Sequence, residues 1–265
     1  MATAEAIYAA ERHRAAQLGL RSEMLLELST LWLSLDPYRL DETTPSWLHQ
    51  VVALIVAHRR RSAELAIEFY EEYRSYELGS SPSFRGSTGL IPPREAIETS
   101  MRVLGPVGIK KRVGKGMLLE DARNTAFVEV SGAAGRHVLN GGRDATFDAI
   151  VRDEVALRWA RKTGPNPCWF CAMLASRGPV YHSRFSASRK GEDAPSVRRG
   201  TGVFGEMFHD HCQCTVVPVF SMDDEWPDRG REFEAAWKEL SQILGRSPTA
   251  QEWRKFYNER YGHSD

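Results

Sequence analysis

All four cysteines of this 265-residue chain fall between positions 168 and 214, in two short knuckles, Cys168-Trp-Phe-Cys171 and His209-Asp-His211-Cys212-Gln-Cys214. No other feature restricts the fold as much, because two segments separated by the whole of residues 172–208 must meet. A CxxC turn aims both sulfurs at one point, and a second knuckle bringing Cys and His completes a tetrahedral soft-ligand set suited to zinc. The second knuckle offers four donors for two places. His211 and Cys212, being adjacent, are poor partners on one ion, whereas Cys212 with Cys214, or His209 with Cys212, project compatibly. The expected donors are therefore Cys168, Cys171, Cys212 and either His209 or Cys214, around a structural zinc. Four protein ligands leave no open position, so such a site pins the ends of the 177–208 insertion rather than activating water.

Two other uses of these cysteines compete. Disulfides between the knuckles require an oxidising compartment. The opening residues lack a signal-peptide apolar region, and a cytoplasmic setting with reduced thiols is expected. A thioredoxin-like redox CxxC requires a strand before it and a helix starting at its first cysteine. Here the pattern predicts a helix and then Gly164-Pro165-Asn166-Pro167 ahead of Cys168.

Around the knuckles the periodicity is helical. Leu18, Met24, Leu25, Leu28, Leu31, Trp32 and Leu35 predict a helix over 3–35, with a break near Gly19 as an alternative. Thr44-Pro45 has the form of an N-cap followed by proline, opening a second helix that ends near Gly79. Residues 1–79 thus form a long helical hairpin, and 80–93, rich in Gly, Ser and Pro, a linker. In the remainder, 94–265, the pattern predicts helices over 94–104 and 117–132. It places a basic loop at 105–116 and a turn at Asn140-Gly141-Gly142. A further helix carries Phe147, Ile150, Val151, Val155 and Trp159 to about Thr163. Residues 177–208, with five glycines, two prolines and few apolar anchors, form an extended insertion expected to be mobile. Thr215–Phe220 is at most a short edge strand because of Pro218. Helices over 229–244 and 249–261 close the chain, the second opened by a Thr249/Glu252 capping box. The fold class is mainly α, with little β and a small irregular Cys/His module at 164–220.

Charge and hydropathy exclude two classes. The 35 basic and 35 acidic residues cancel, which argues against a dedicated nucleic-acid coat protein. The longest apolar run, Val51–Ala57, is far short of the ~20 residues that span a bilayer. Local basic patches remain at 58–61, at Lys110-Lys111-Arg112 with Lys115, and between Arg177 and Arg199, where six basic residues face only Glu192 and Asp193.

The run Asp153-Glu154, Trp159, Asn166-Pro167-Cys168-Trp-Phe-Cys171, Ala172 to Gly178 and His209-Asp-His-Cys212-Gln-Cys214-Thr-Val-Val-Pro218 resembles the C-terminal module of the Mu F-like head morphogenesis proteins. These are minor capsid proteins of tailed bacteriophages. Ala10 to Leu18 and Leu35-Asp36-Pro37 are similar to the N-terminal helices of actinobacteriophage members. Asp210 stands where the family pattern His-Pro-x-Cys-x-Cys has proline, and matching by residue favours His209 over His211 as the family histidine. The resemblance implies a low-copy head protein working with the portal protein and the major capsid or scaffold proteins, in the host cytoplasm during assembly and in the procapsid or virion head. A link to DNA delivery, with non-specific contact to packaged DNA, is also implied; a membrane partner is not.

Two alternatives stay in view. Close actinobacteriophage relatives are often labelled capsid maturation proteases. The chain has neither a GxSxG elbow nor an HExxH helix, leaving only a dispersed arrangement around Ser176, His182, Ser183 or Ser186, so a non-enzyme is expected. A zinc-knuckle DNA-binding module would interleave aromatic and basic residues such as Trp169, Phe170, Arg177, Tyr181, Arg184 and Phe185.

Overall fold

The computed structural model describes residues 3–79, 84–88, 92–181, 208–221 and 229–262. The fold is mainly helical, as the periodicity predicts. Helix α1 (Ala4–Trp32) and helix α2 (Leu40–Leu78) form the hairpin. Thr3 caps α1 by accepting the Ala6 amide at 3.1 Å, and α1 runs through Gly19 without a break. At its end α2 stops on Gly79, whose φ of +62° is a conformation that glycine reaches without a Cβ clash.

Helix α2 starts a turn earlier than Thr44-Pro45 predicts. Asp36 accepts the Tyr38 amide at 2.8 Å, and Thr43 both donates to the Arg39 carbonyl at 2.9 Å and accepts the Asp36 amide at 3.2 Å. These side chains hold the extra turn, so Pro45 lies inside the helix.

Helix α3 (Arg94–Arg102) runs into a π-helical turn (Val103–Val107) and then α4 (Gly108–Val113). Helical backbone thus replaces most of the loop expected at 105–116. Ile97, Met101 and Ile109, all buried, continue one i, i+4 row through Gly105. Gly105 lies under the Trp47 ring, where a Cβ would stand 3.0 Å from the indole.

The largest departure is α5 (Leu119–Arg152), one continuous helix across the expected turn at Asn140-Gly141-Gly142. The two glycines serve a helix crossing. A Cβ on Gly141 would come within 2.1 Å of the Arg59 carbonyl oxygen of α2, and one on Gly142 within 2.9 Å of the Ser62 carbonyl oxygen. The Gly142 amide donates to Ser62 Oγ at 2.8 Å, while Ser62 and Gln17 of α1 exchange hydrogen bonds at 2.6 and 2.8 Å. Arg59 pairs with Asp144 and donates to the His137 carbonyl at 2.7 Å. Residues of α1, α2, α3 and α5 share one apolar cluster, which buries the hairpin's inner face.

Helix α5 ends at Arg152, so the helix expected to continue through Trp159 is not there. Asp153 is held by Arg74 Nε at 2.7 Å and Tyr70 Oη at 3.0 Å, and the chain turns into strand β1 (Arg158–Lys162). Because Trp159 to Lys162 are all buried, β1 shows no period-2 alternation by which to recognise it. It pairs antiparallel with β2 (Thr215–Val219), Trp159 opposite Pro218. Pro218 is tolerated there because the Trp159 amide points the other way, to the Tyr181 carbonyl at 3.0 Å. Helix α6 (Trp169–Ala175) follows, then α7 (Gly230–Leu244) and α8 (Ala250–Tyr261) packed on it. The Thr249/Glu252 capping box forms as expected.

Candidate metal centre

Cys168 occupies the N-cap of α6, its sulfur accepting the Cys171 amide at 3.5 Å. A strand therefore precedes the CxxC and a helix starts at its first cysteine, the arrangement the sequence argued against. The redox reading loses that objection, and the second knuckle decides instead. The four thiols are free. Cys171 Sγ lies 3.6 Å from Cys212 Sγ and 3.6 Å from His209 Nε2, and Cys168 Sγ lies 3.0 Å from the same nitrogen. A tetrahedral ion with bonds of ~2.0–2.3 Å separates its donors by roughly 3.5–3.8 Å. The two contacts of Cys171 match that edge.

The donors form two overlapping triads, Cys168, Cys171, His209 and Cys171, Cys212, Cys214, each within 4.8 Å throughout. The structure thus brings each of the other four residues singled out in the sequence within reach of Cys171. His211 points elsewhere. It is exposed, in the left-handed region at φ +63°, and its ring lies against Gly132 of α5, where a Cβ would come within 2.5 Å of Nε2. Its reversal turns His209 inward: the Cys212 amide bonds back to the His209 carbonyl at 3.1 Å. His209 Nδ1 lies 2.6 Å from the Asp210 carbonyl oxygen. That contact calls for the proton on Nδ1 and leaves the Nε2 lone pair facing the sulfurs, as a ligand requires. Arg136 of α5 holds Asp210 at 2.6 Å, so the second knuckle is tied to the helical core.

Without an ion the donors polarise one another. Hydrogen bonding with Cys171, aided by His209, takes the Cys168 thiol down to about 4 against the effect of burial. The hydrogen bond to Cys168 lifts His209 to about 9. A divalent soft cation would bind that thiolate and displace the imidazolium proton.

Two residues of the site gave no sequence signal. Arg143 of α5 donates through Nη2 to the Cys212 carbonyl at 3.1 Å and to the Cys214 carbonyl at 2.8 Å, and through Nε to the latter at 3.0 Å. Arg161 of β1 lies with Nη1 3.8 Å from Cys171 Sγ. Both are buried, at 4% and 1% exposure, and both stack on Phe208, with guanidinium carbons 3.8 and 4.2 Å from its ring centroid.

The aromatic residues beside the knuckle are packed. Phe170 and Tyr181 are buried, and Trp169 lies against the same core. Trp253 Nε1 donates to the Trp169 carbonyl at 2.8 Å and Tyr257 Oη to the Pro167 carbonyl at 2.7 Å, which fastens α8 to the CxxC loop. Ser176 is buried with its hydroxyl on the Met173 carbonyl at 2.8 Å. The expectations for His182, Ser183, Ser186, Arg184, Phe185 and a mobile insertion concern 182–207, outside the described residues.

Comparison with known proteins gives one family and two phage relatives. The VG15 protein family matches residues 5–240, ending inside α7. The Gene 15 protein of Mycobacterium phage D29 is 28% identical over 221 residues, covering 75% of this chain and 78% of the relative. The Gene 15 protein of Mycobacterium phage L5 is 28% identical over 228 residues, covering 74% and 73%. No solved structure matches the chain.

Proposed function

The chain belongs to the VG15 protein family and is a phage protein, and from that premise we propose that it is a minor head protein acting with the portal in procapsid assembly. The Mu F-like resemblance of the Cys/His module and the actinobacteriophage-like opening helices support this reading. The observation that carries it is the pair of donor triads, Cys168, Cys171, His209 and Cys171, Cys212, Cys214, that meet at the buried Cys171. Such a site ties a short irregular module rigidly to a helical scaffold, and rigidity is what a docking component needs.

The ion is zinc, held by Cys168, Cys171, His209 and one of Cys212 or Cys214; when bound it supplies a cross-link and no open coordination position. The hairpin α1–α2 is the portal- or shell-facing element, and the basic residues between 177 and 199 contact packaged DNA or an acidic protein face. Among the described residues no helix is long and apolar enough to cross a membrane.

The protein is not a peptidase on this reading. Ser176 has its hydroxyl committed to a carbonyl, and the four cysteines lie in the two donor triads. Packing of Phe170 and Tyr181 likewise disfavours a base-stacking knuckle.

Mass spectrometry of purified procapsids and virions tests the proposal. The chain is expected at low copy number, and procapsids made without it should contain a capsid protein with the same N-terminus. Absence of the chain from both particles, or capsid-protein trimming that depends on it, would overturn the assembly reading.

A further inference from the structure

Arg143 and Arg161 are two buried cations stacked on one phenyl ring, an arrangement that repels in a low-dielectric interior unless anions lie beside it. The groups acting electrostatically on both guanidiniums include Cys171, Cys212 and Cys214, with Tyr181 adding to the set around Arg161. The hydrogen bonds have the same direction: Arg161 reaches the Cys171 sulfur, and Arg143 grips the carbonyls of Cys212 and Cys214. A divalent ion with four thiolates carries two negative charges, and two guanidiniums cancel them. With His209, a neutral ligand, in place of one thiolate the centre carries one negative charge, so it is anionic toward the two guanidiniums with either donor set.

We infer that Arg143 and Arg161 are the built-in counter-cations of the metal–thiolate centre, positioning residues that fix its charge and the shape of its second knuckle. Arg161 acts through the one sulfur that both donor triads share. Arg143 acts through the backbone of the second knuckle, and Phe208, immediately before His209, is the plate that keeps the two guanidiniums in place. The inference rests on the metal reading above.

The test uses the full chain with Arg161→Met, Arg161→Lys, Arg143→Met and Arg143→Lys, loaded with cobalt(II) or zinc. Chelator competition gives the affinity, and the sulfur-to-cobalt charge-transfer absorption reports thiolate ligation. The Met variants are expected to bind about 10–100-fold more weakly, the usual effect of removing an outer partner of a ligand, with a weakened charge-transfer band. Arg161→Lys, which keeps the charge, is expected to recover most of both. Met variants matching the wild type in affinity and spectrum would overturn the inference. Should they not fold, a folded Arg161→Lys chain that has lost the ion would overturn it equally. A wild-type chain that takes up neither metal would instead defeat the metal reading, and this inference with it.

Discussion

The α1–α2–α5 bundle and the Cys/His module are held together in opposite ways. The bundle relies on area: Leu28, Trp47, Val51, Ile55, Val130 and Val138 bury nearly all their surface in one cluster, each side chain contributing about 1.5–3 kcal/mol before entropy is counted. The module has two five-residue strands and a seven-residue helix, too little regular structure to rely on area alone. It shares an apolar cluster with α7 and α8, and its backbone is fixed in addition by discrete partners: two arginines, a sulfur cluster, and two aromatic side chains of α8 bonded to carbonyls. The bundle should therefore tolerate loss of polar groups outside its Gln17–Ser62–Gly142 and Arg59–Asp144 crossing, while the module should fail when its central ion or ligand is removed.

Changing Cys171, the donor common to both triads, should have the largest effect. Cys171→Ser is expected to abolish metal retention and to cost on the order of 5 kcal/mol in stability of the module. Near-ultraviolet dichroism should lose the contribution of Trp159, Trp169 and Trp253 and keep that of Trp32 and Trp47 in the bundle, while the far-ultraviolet helix signal mostly persists. Loss of both signals together would show that module and bundle are one cooperative unit.

The bundle has its own weak point at the glycine crossing. Gly141→Ala drives a Cβ toward the Arg59 carbonyl and is expected to cost about 3 kcal/mol, read from urea unfolding, with zinc content unchanged. A neutral result would mean that α2 and α5 cross less closely than described.

Acid should act on the bundle through its buried imidazoles. Burial holds both His13, stacked on Phe69 with centroids 4.4 Å apart, and His137 neutral, with pKa values depressed to about 3. The unfolded chain takes up these protons near pH 6.5 while the folded one refuses them. Their contribution is thus present above pH 6.5 and is lost as the pH falls from 6.5 toward 3, by about 2 kcal/mol per histidine at pH 5. His137→Gln should flatten the profile of chemical-denaturation midpoints between pH 7 and 5 by about half.

The smallest effect belongs to the cap of α8. Thr249→Ala removes the hydrogen bond to the Glu252 amide and is expected to cost about 1 kcal/mol, leaving metal affinity within twofold. A larger loss of affinity would mean that the cap controls how Trp253 and Tyr257 hold the CxxC loop.

The same contrast explains what was legible in the sequence. Local signals translated directly: the hairpin from its apolar period, its stop from Gly79, the last helix from Thr249 and Glu252, the clustering of the Cys and His side chains from their spacing. Signals whose meaning depends on a distant partner did not. Gly141-Gly142 has the composition of a turn, and only the backbone of α2 lying across it makes it a helix crossing. Trp159 continues the helical spacing of Phe147 and does contact it, at 4.9 Å between centroids, but by way of a turn and a strand. Ile97, Met101 and Ile109 formed a helical row whose force was masked by Gly105 and Pro106. Arg143 and Arg161 looked like ordinary charged residues because nothing local marks a guanidinium as buried.

Native mass spectrometry of the reduced, full-length chain tests the convergence of the two knuckles on one ion most directly. One zinc ion per chain is predicted, retained through purification, lost under strong chelation, and absent from Cys171→Ser. A reduced chain that stays folded, carries no metal and has all four thiols open to rapid alkylation would contradict the account.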